Sequence, residues 1–324
     1  MARAQGKGRA AAAQERSVVF GRDLSQHLYL YIPLAVLFLI NIVPLLYTVY
    51  LSLTDWVLFR QRTPTFSGLG NWAELLTSGR FWHSVQVELV FVAGSVALEF
   101  LLGFGMALLL NRAIHLRELF RSIFMFPMVL PPIIAAFLWR FMLQADIGVI
   151  NYYLRFVGLN RAFLATGPSA LATLILVDVW QYTPFVALLL LAGLQHISEE
   201  VYQAAEVDGA GPVQAFRYVT LPLMIPTILI VLLLRIVDAL KVFPTIYVLT
   251  RGGPGVATEA LNYLAFLMAF EQSRMGYGAA LSLVVMILSV AIAILFIATR
   301  RRLAMNRMAM ATDRIMTTRD SAAP

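Results

Sequence analysis

Gln203-Ala-Ala-Glu-Val-Asp-Gly209, followed ten residues later by Val219-Thr-Leu-Pro222, is a polar island between two long apolar runs. The residue order predicts a short helix, a stop and a second helix. Ser198 stands where a cap is needed, Glu199 and Glu200 lie at the favourable amino end of the helix dipole, and Asp208-Gly209 suits a left-handed glycine stop. Ala204 and Ala205 leave room for close docking. Gly211-Pro212 reads as the start of the next helix.

Around this island the chain is too apolar to clothe a water-soluble globule. Its 324 residues are 60% hydrophobic and 13% charged, with a mean hydropathy of +0.77, which predicts an all-α integral membrane protein. Six runs are long enough to span a hydrocarbon core of about 30 Å: residues 28–53, 85–110, 122–144, 170–194, 223–248 and 278–299. An even number of spans puts both termini on one side. The apolar stretch 261–270 is too short to cross and reads as an interfacial or packed helix. In the third run, Pro127, Pro131 and Pro132 must free backbone carbonyls, so a bent helix facing a cavity is expected.

Arginine and lysine set the orientation. The tail residues Arg3 to Arg22, then Arg112, Arg117, Arg121, Arg217 and the arginines between 300 and 319 outnumber those on the other side, such as Arg60, Arg80, Arg155 and Arg251. The positive side faces the cytoplasm. Both termini and the loop 195–222 are therefore expected inside the cell. The expected organisation is a basic tail over 1–24, a membrane domain over 25–299 and a second basic tail over 300–324.

Several function classes fall away. With no cysteine there is no thiolate metal site and no thiol nucleophile, and His27, His83, His115 and His196 are scattered without a metal-ligand pair. Lys7 precedes Gly8 and Lys241 precedes Val242, so neither lysine belongs to a phosphate-binding loop. The net charge of +7 and a pI near 9.9 sit at membrane flanks and not among interleaved aromatics, which argues against nucleic acid. No catalytic residue and no bound metal or cofactor are expected on this chain.

Polar residues inside the apolar runs mark candidate sites. Asp178, Gln181, Tyr182 and Phe185 fall at i, i+3, i+4 and i+7 of one helix, offering acceptors, donors and a ring to a polyhydroxyl ligand. Arg235, Asp238 and Val242 repeat the spacing in the fifth run, with Lys241 one residue off that face. Two readings stay open for both sets: a ligand pocket, or a self-satisfied network that positions helices. Arg235 can pair with Asp238, as can Lys241; Ser95 and Glu99 share a face in the second run and read as packing. A proton relay through Glu99, Asp178, Asp238 and Arg235 would make the chain an ion-driven secondary transporter, the alternative reading.

The spacing of the island, two alanines, three residues, Gly209, nine residues, Val219, one residue and Leu221-Pro222, resembles the cytoplasmic coupling signature of the permease subunits of binding-protein-dependent ABC importers. Gln203 stands where that family usually has Glu. Phe66-Ser-Gly-Leu-Gly-Asn-Trp72, Tyr247-Val-Leu-Thr-Arg-Gly-Gly-Pro254, Thr258 and Gly276-Tyr-Gly-Ala-Ala-Leu-Ser282 are similar to the carbohydrate permeases of the maltose and glycerol-phosphate type. The resemblance implies a type I importer permease of the bacterial inner membrane, paired with a second, homologous permease. Two ATPase subunits carrying ATP and Mg²⁺ would dock on Gln203, Ala204, Ala205, Asp208, Gly209, Leu221 and Pro222. A solute-binding protein would deliver a sugar or polyol from outside. The sugar site would use the faces carrying Asp178, Gln181, Tyr182, Phe185, Arg235, Asp238 and Val242.

Overall fold

The computed structural model describes residues 29, 31–60, 62–111, 117–158 and 162–321; the tail expected over 1–24 lies outside them. The chain runs through α1 (Tyr31–Ser52), β1 (Thr54–Asp55), β2 (Thr65–Phe66), α2 (Gly70–Thr77), α3 (Gly79–Asn111), α4 (Arg117–Val129) and α5 (Pro132–Met142). It continues through α6 (Val149–Phe156), α7 (Gly167–Leu194), α8 (Glu199–Val207), α9 (Pro212–Gln214) and α10 (Leu221–Ala239). The last elements are α11 (Phe243–Leu249), α12 (Leu261–Phe266) and α13 (Met275–Ser321), and wide π-turns at Ala215–Thr220 and Leu267–Glu271 lead into α10 and out of α12. Among the described residues, five helices are long and apolar enough to cross a membrane, and the α4–α5 pair makes a sixth.

Two of the expected spans are not continuous helices. In the third, Pro131 and Pro132 end α4 and start α5, and the two halves meet at 99°. In the fifth, the helix stops at Ala239 and restarts at Phe243 with Pro244 in its first turn, so the expected run to 248 is two helices. A break inside a membrane strands carbonyls that water cannot reach. Here side-chain amides from other elements meet them: Gln181 Nε2 donates to Leu130 O at 2.9 Å, and Asn262 Nδ2 donates to Leu240 O at 2.5 Å. The 261–270 stretch is the packed helix of the two readings, with Leu261, Tyr263, Leu264 and Ala265 buried. At the carboxyl end α13 continues to Ser321, so the segment 300–321 of the expected tail is helical.

The bundle is centred on α3 against α7. Gly103 lets them approach: a Cβ there would come within 2.8 Å of Val186 Cγ1, so a side chain would push the helices apart. Towards the end where α8 stands the core is Phe104, Ala107, Val186, Leu190 and Met224; in the middle it is Phe91, Val96, Leu174, Val177 and Ile246. At the opposite end Leu75, Phe81, Leu261, Leu264 and Leu281 form a third cluster. By contrast, no residue of the most apolar window of α1 is buried within the chain.

The end away from α8 is tied by polar contacts. Arg80 holds Glu259 through two hydrogen bonds of 2.7 and 2.6 Å, and Arg274 holds Glu74 through two of 2.8 and 2.6 Å. The hydrogen bonds from Arg274 keep the Glu74 carboxyl below the usual carboxylate range. Asn71 Nδ2 donates to Ser52 O and Thr54 O at 3.0 and 2.8 Å, stitching α2 to the end of α1 and to β1. Gly276 opens α13 directly beneath that stitch, where a Cβ would overlap Thr54 O and reach 2.9 Å from Asn71 Nδ2. The resembling segments around Phe66–Trp72 and Gly276–Ser282 therefore meet in space. Gly252 to Gly255 form a turn, clasped by Thr258, whose Oγ1 donates to Gly253 O at 2.8 Å.

Candidate functional site

Arg235 occupies the middle of the bundle with 1% of its surface exposed. Its Nε and Nη2 grip Glu99 of α3 at 2.5 and 2.9 Å, Nη2 also bonds Asp178 of α7, and Nη1 bonds Asp238 of its own helix at 3.1 Å. The Tyr182 ring lies 4.2 Å from the guanidinium carbon. Burying a guanidinium is tolerable only when every nitrogen is hydrogen-bonded and the charge is neutralised, and this constellation does both. It also joins α3, α7 and α10 at one point. The Arg235–Asp238 pairing expected from the sequence is present, whereas Glu99, read there as packing, turns out to be the two-pronged partner. The signal for it was a lone carboxylate in an apolar run, which has to find a cation.

Beside this network lies a cavity of about 540 Å³, lined by Met128, Tyr182, Phe185, Val237, Asp238 and Lys241 together with aliphatic side chains. The seven residues expected to form a pocket divide. Tyr182, Phe185 and Asp238 line the cavity. Asp178 and Arg235 sit behind its wall, paired with each other; Gln181 is spent on Leu130 O; and Val242 is packed with Val87, Phe91 and Ile246 in the core. The reason for the split is that a helix face four residues wide spans more arc than one cavity subtends, so its inner edge meets other helices. Lys241, placed off the face by spacing, reaches the cavity because α10 ends at Ala239 and the chain turns there.

At the far end of α7 and α10 stands α8. None of its residues is buried. Ser198 takes the cap position in extended conformation, but its hydroxyl makes no cap bond, contrary to the expectation. The stop is as expected: Gly209 has φ +79°, Gly209 N donates to Glu206 O at 2.9 Å and Ala210 N to Ala205 O at 2.9 Å, the paired bonds of a Schellman ending. Tyr202 OH and Thr220 Oγ1, 3.0 Å apart, hold α8 against the π-turn that leads into α10. Gln203, Ala204, Asp208 and Gly209 are exposed and Ala205 partly so, while Leu221 and Pro222 open α10. The expected second helix, from Pro212, runs on into the fifth span without a stop.

A multi-helix bundle with two broken spans, a cavity lined by Tyr182, Phe185, Asp238 and Lys241 among aliphatic side chains, and a short helix without buried residues at one end fits an integral membrane transport subunit. The chain belongs to the family described as binding-protein-dependent transport system inner membrane component, whose model matches residues 99–304. It is 39% identical over 269 residues to the trehalose/maltose transport system permease protein MalF of Thermococcus litoralis, covering 83% of this chain and 90% of that protein. It is 31% identical over 271 residues to the sulfoquinovosyl glycerol transport system permease protein SmoG of Agrobacterium fabrum, covering 82% and 87%. The fold is similar to a chain of a bacterial alginate ABC transporter solved with an alginate pentasaccharide-bound periplasmic protein, with a TM-score of 0.74, 23% identity, and coverage of 87% of this chain and 97% of that one. The chain is thus a multi-pass membrane permease of the importer type, and the ion-driven alternative has no support.

Proposed function

We propose that this chain forms half of the pathway by which a sugar or related polyol, handed over by an extracytoplasmic binding protein, crosses the bacterial inner membrane at the expense of ATP hydrolysed elsewhere. The observation that carries the reading is α8: a helix with no buried residue, held at Tyr202 and otherwise open, with 89% of Val207 and, nearby, 78% of Val213 and 70% of Tyr218 exposed. Apolar side chains at a polar loop end mark a surface that a protein covers. Two ATPase subunits, binding ATP and Mg²⁺, would cover it through Gln203, Ala204, Ala205, Asp208, Gly209, Leu221 and Pro222. A second, homologous permease would supply the other half of the pathway. In this arrangement the loop 195–222, both termini and the basic segments at 1–24 and 300–324 are cytoplasmic.

The cargo reading rests on the cavity and on the names of the relatives. Tyr182 and Phe185 offer rings to the apolar face of a sugar, and Asp238 and Lys241 offer an acceptor and a donor to hydroxyls. Arg235 has every nitrogen hydrogen-bonded, so it does not present its charge to an anionic cargo. Substitution Ala204→Trp tests the coupling role: the bulky ring on an exposed helix leaves the bundle intact and obstructs the ATPase. The expected result is normal membrane insertion, lost uptake and ATP hydrolysis no longer stimulated by the loaded binding protein. Wild-type uptake in this variant would refute the assignment.

A further inference from the structure

The short helix α6 has its amphipathicity inverted. Its polar residue Asn151 is fully buried, donating from Nδ2 to Leu143 O and Gln144 O at 3.3 and 3.2 Å, while its aromatic residues face outward: Tyr152, Tyr153 and Phe156 are 59%, 66% and 73% exposed. These three rings stack edge to face on one another at 5.5 and 5.2 Å. Arg155 folds back, Nη2 donating to Ala145 O at 2.7 Å. A face so apolar is not left to water in a well-packed protein.

The position of α6 says what covers it. Its amino side caps the end of α5, and the segment after it is tied to the start of α7, where Thr173 Oγ1 bonds Phe163 O at 3.3 Å. Gly167, at the start of α7, packs beside Ala257 of the loop that Arg80 clamps, so α6 stands at the end of the bundle opposite α8. On α5, the helix it caps, Phe137 and Phe141 are exposed as well. Tyrosines and phenylalanine at the mouth of spanning helices, with a charged residue at the edge, have the chemistry of the headgroup layer, where the ring is buried and the hydroxyl hydrated.

We propose that α6 is an interfacial anchor: it lies in the lipid headgroup layer on the side opposite the coupling helix, with Tyr152, Tyr153 and Phe156 turned into the lipid. The occupant of this face is the bilayer and not the binding protein. The anchor fixes the level of the α5 end, and hence of the break at Leu130, relative to the membrane.

Because the chain has no cysteine, single variants Tyr153→Cys and Phe156→Cys take one nitroxide label each without further engineering. The labelled full-length permease, assembled with its partner subunits in bilayer nanodiscs, is measured for collision with oxygen, which concentrates in lipid, and with a water-soluble nickel chelate. The expected result is an oxygen collision rate at least about twofold above the nickel rate at both positions, unchanged on adding loaded binding protein. A nickel rate equal to or above the oxygen rate would place the face in water and overturn the proposal. Low rates for both reagents, or rates that fall when binding protein is added, would place it against protein and overturn it equally.

Discussion

The guanidinium of Arg235 divides the charged residues of the membrane domain into two kinds. Glu99 and Asp178, with 0% and 5% of their surfaces exposed, have no water to turn to if the cation is removed, whereas Asp238 is half exposed to the cavity. Removing one partner of a buried ion pair costs on the order of 3–5 kcal/mol, while an exposed pair contributes about 0–1 kcal/mol. Arg235→Leu is therefore expected to abolish recovery of the assembled permease from membranes. Asp238→Asn is expected to assemble and melt like the wild type while raising the KM for uptake. Wild-type thermal stability in Arg235→Leu would show that the network does not hold the helices together. At this scale the sequence was legible in kind but not in partner. Charge inside an apolar run announced a network, yet Glu99 lies 136 residues from Arg235, and local spacing carries no information about such a contact.

Among the elements, the two broken spans show where hydropathy stops being informative. Pro131-Pro132 announced the first break, because consecutive prolines remove the amide hydrogens a helix needs. The second was marked only by Pro244, a residue suited to a first turn. The carbonyl stranded at Leu240 is met by Asn262 from a later element, so nothing within the run 223–248 itself announced how that break is satisfied. Gln181 does the same for Leu130 and is a joint between α7 and the broken span. A buried carbonyl left without a donor costs about 1–3 kcal/mol. Gln181→Leu, near in size but without the amide, should accordingly lower the melting temperature of the purified complex. An unchanged melting temperature, with only substrate affinity altered, would return Gln181 to the cavity wall. The helix α8 was the most legible element, since its glycine stop and small exposed residues are local features. Only the Ser198 hydroxyl failed to act as a cap.

At the scale of the whole molecule, the two ends of the bundle differ in construction. One is closed by Arg80–Glu259, Arg274–Glu74 and the Asn71 stitch; the other presents α8 and its apolar neighbours to whatever docks there. Between them the cavity beside Arg235 is lined by Met128 and Lys241, each close to one of the two helix breaks. The most direct measurement is uptake of binding-protein-delivered radiolabelled sugar into proteoliposomes containing this permease, its partner permease and the ATPase subunits. The account predicts uptake only with ATP and Mg²⁺ on the coupling-helix side and binding protein on the other, and none from an ion gradient alone. Uptake by the permease without ATPase subunits, driven by a proton or sodium gradient, would contradict it.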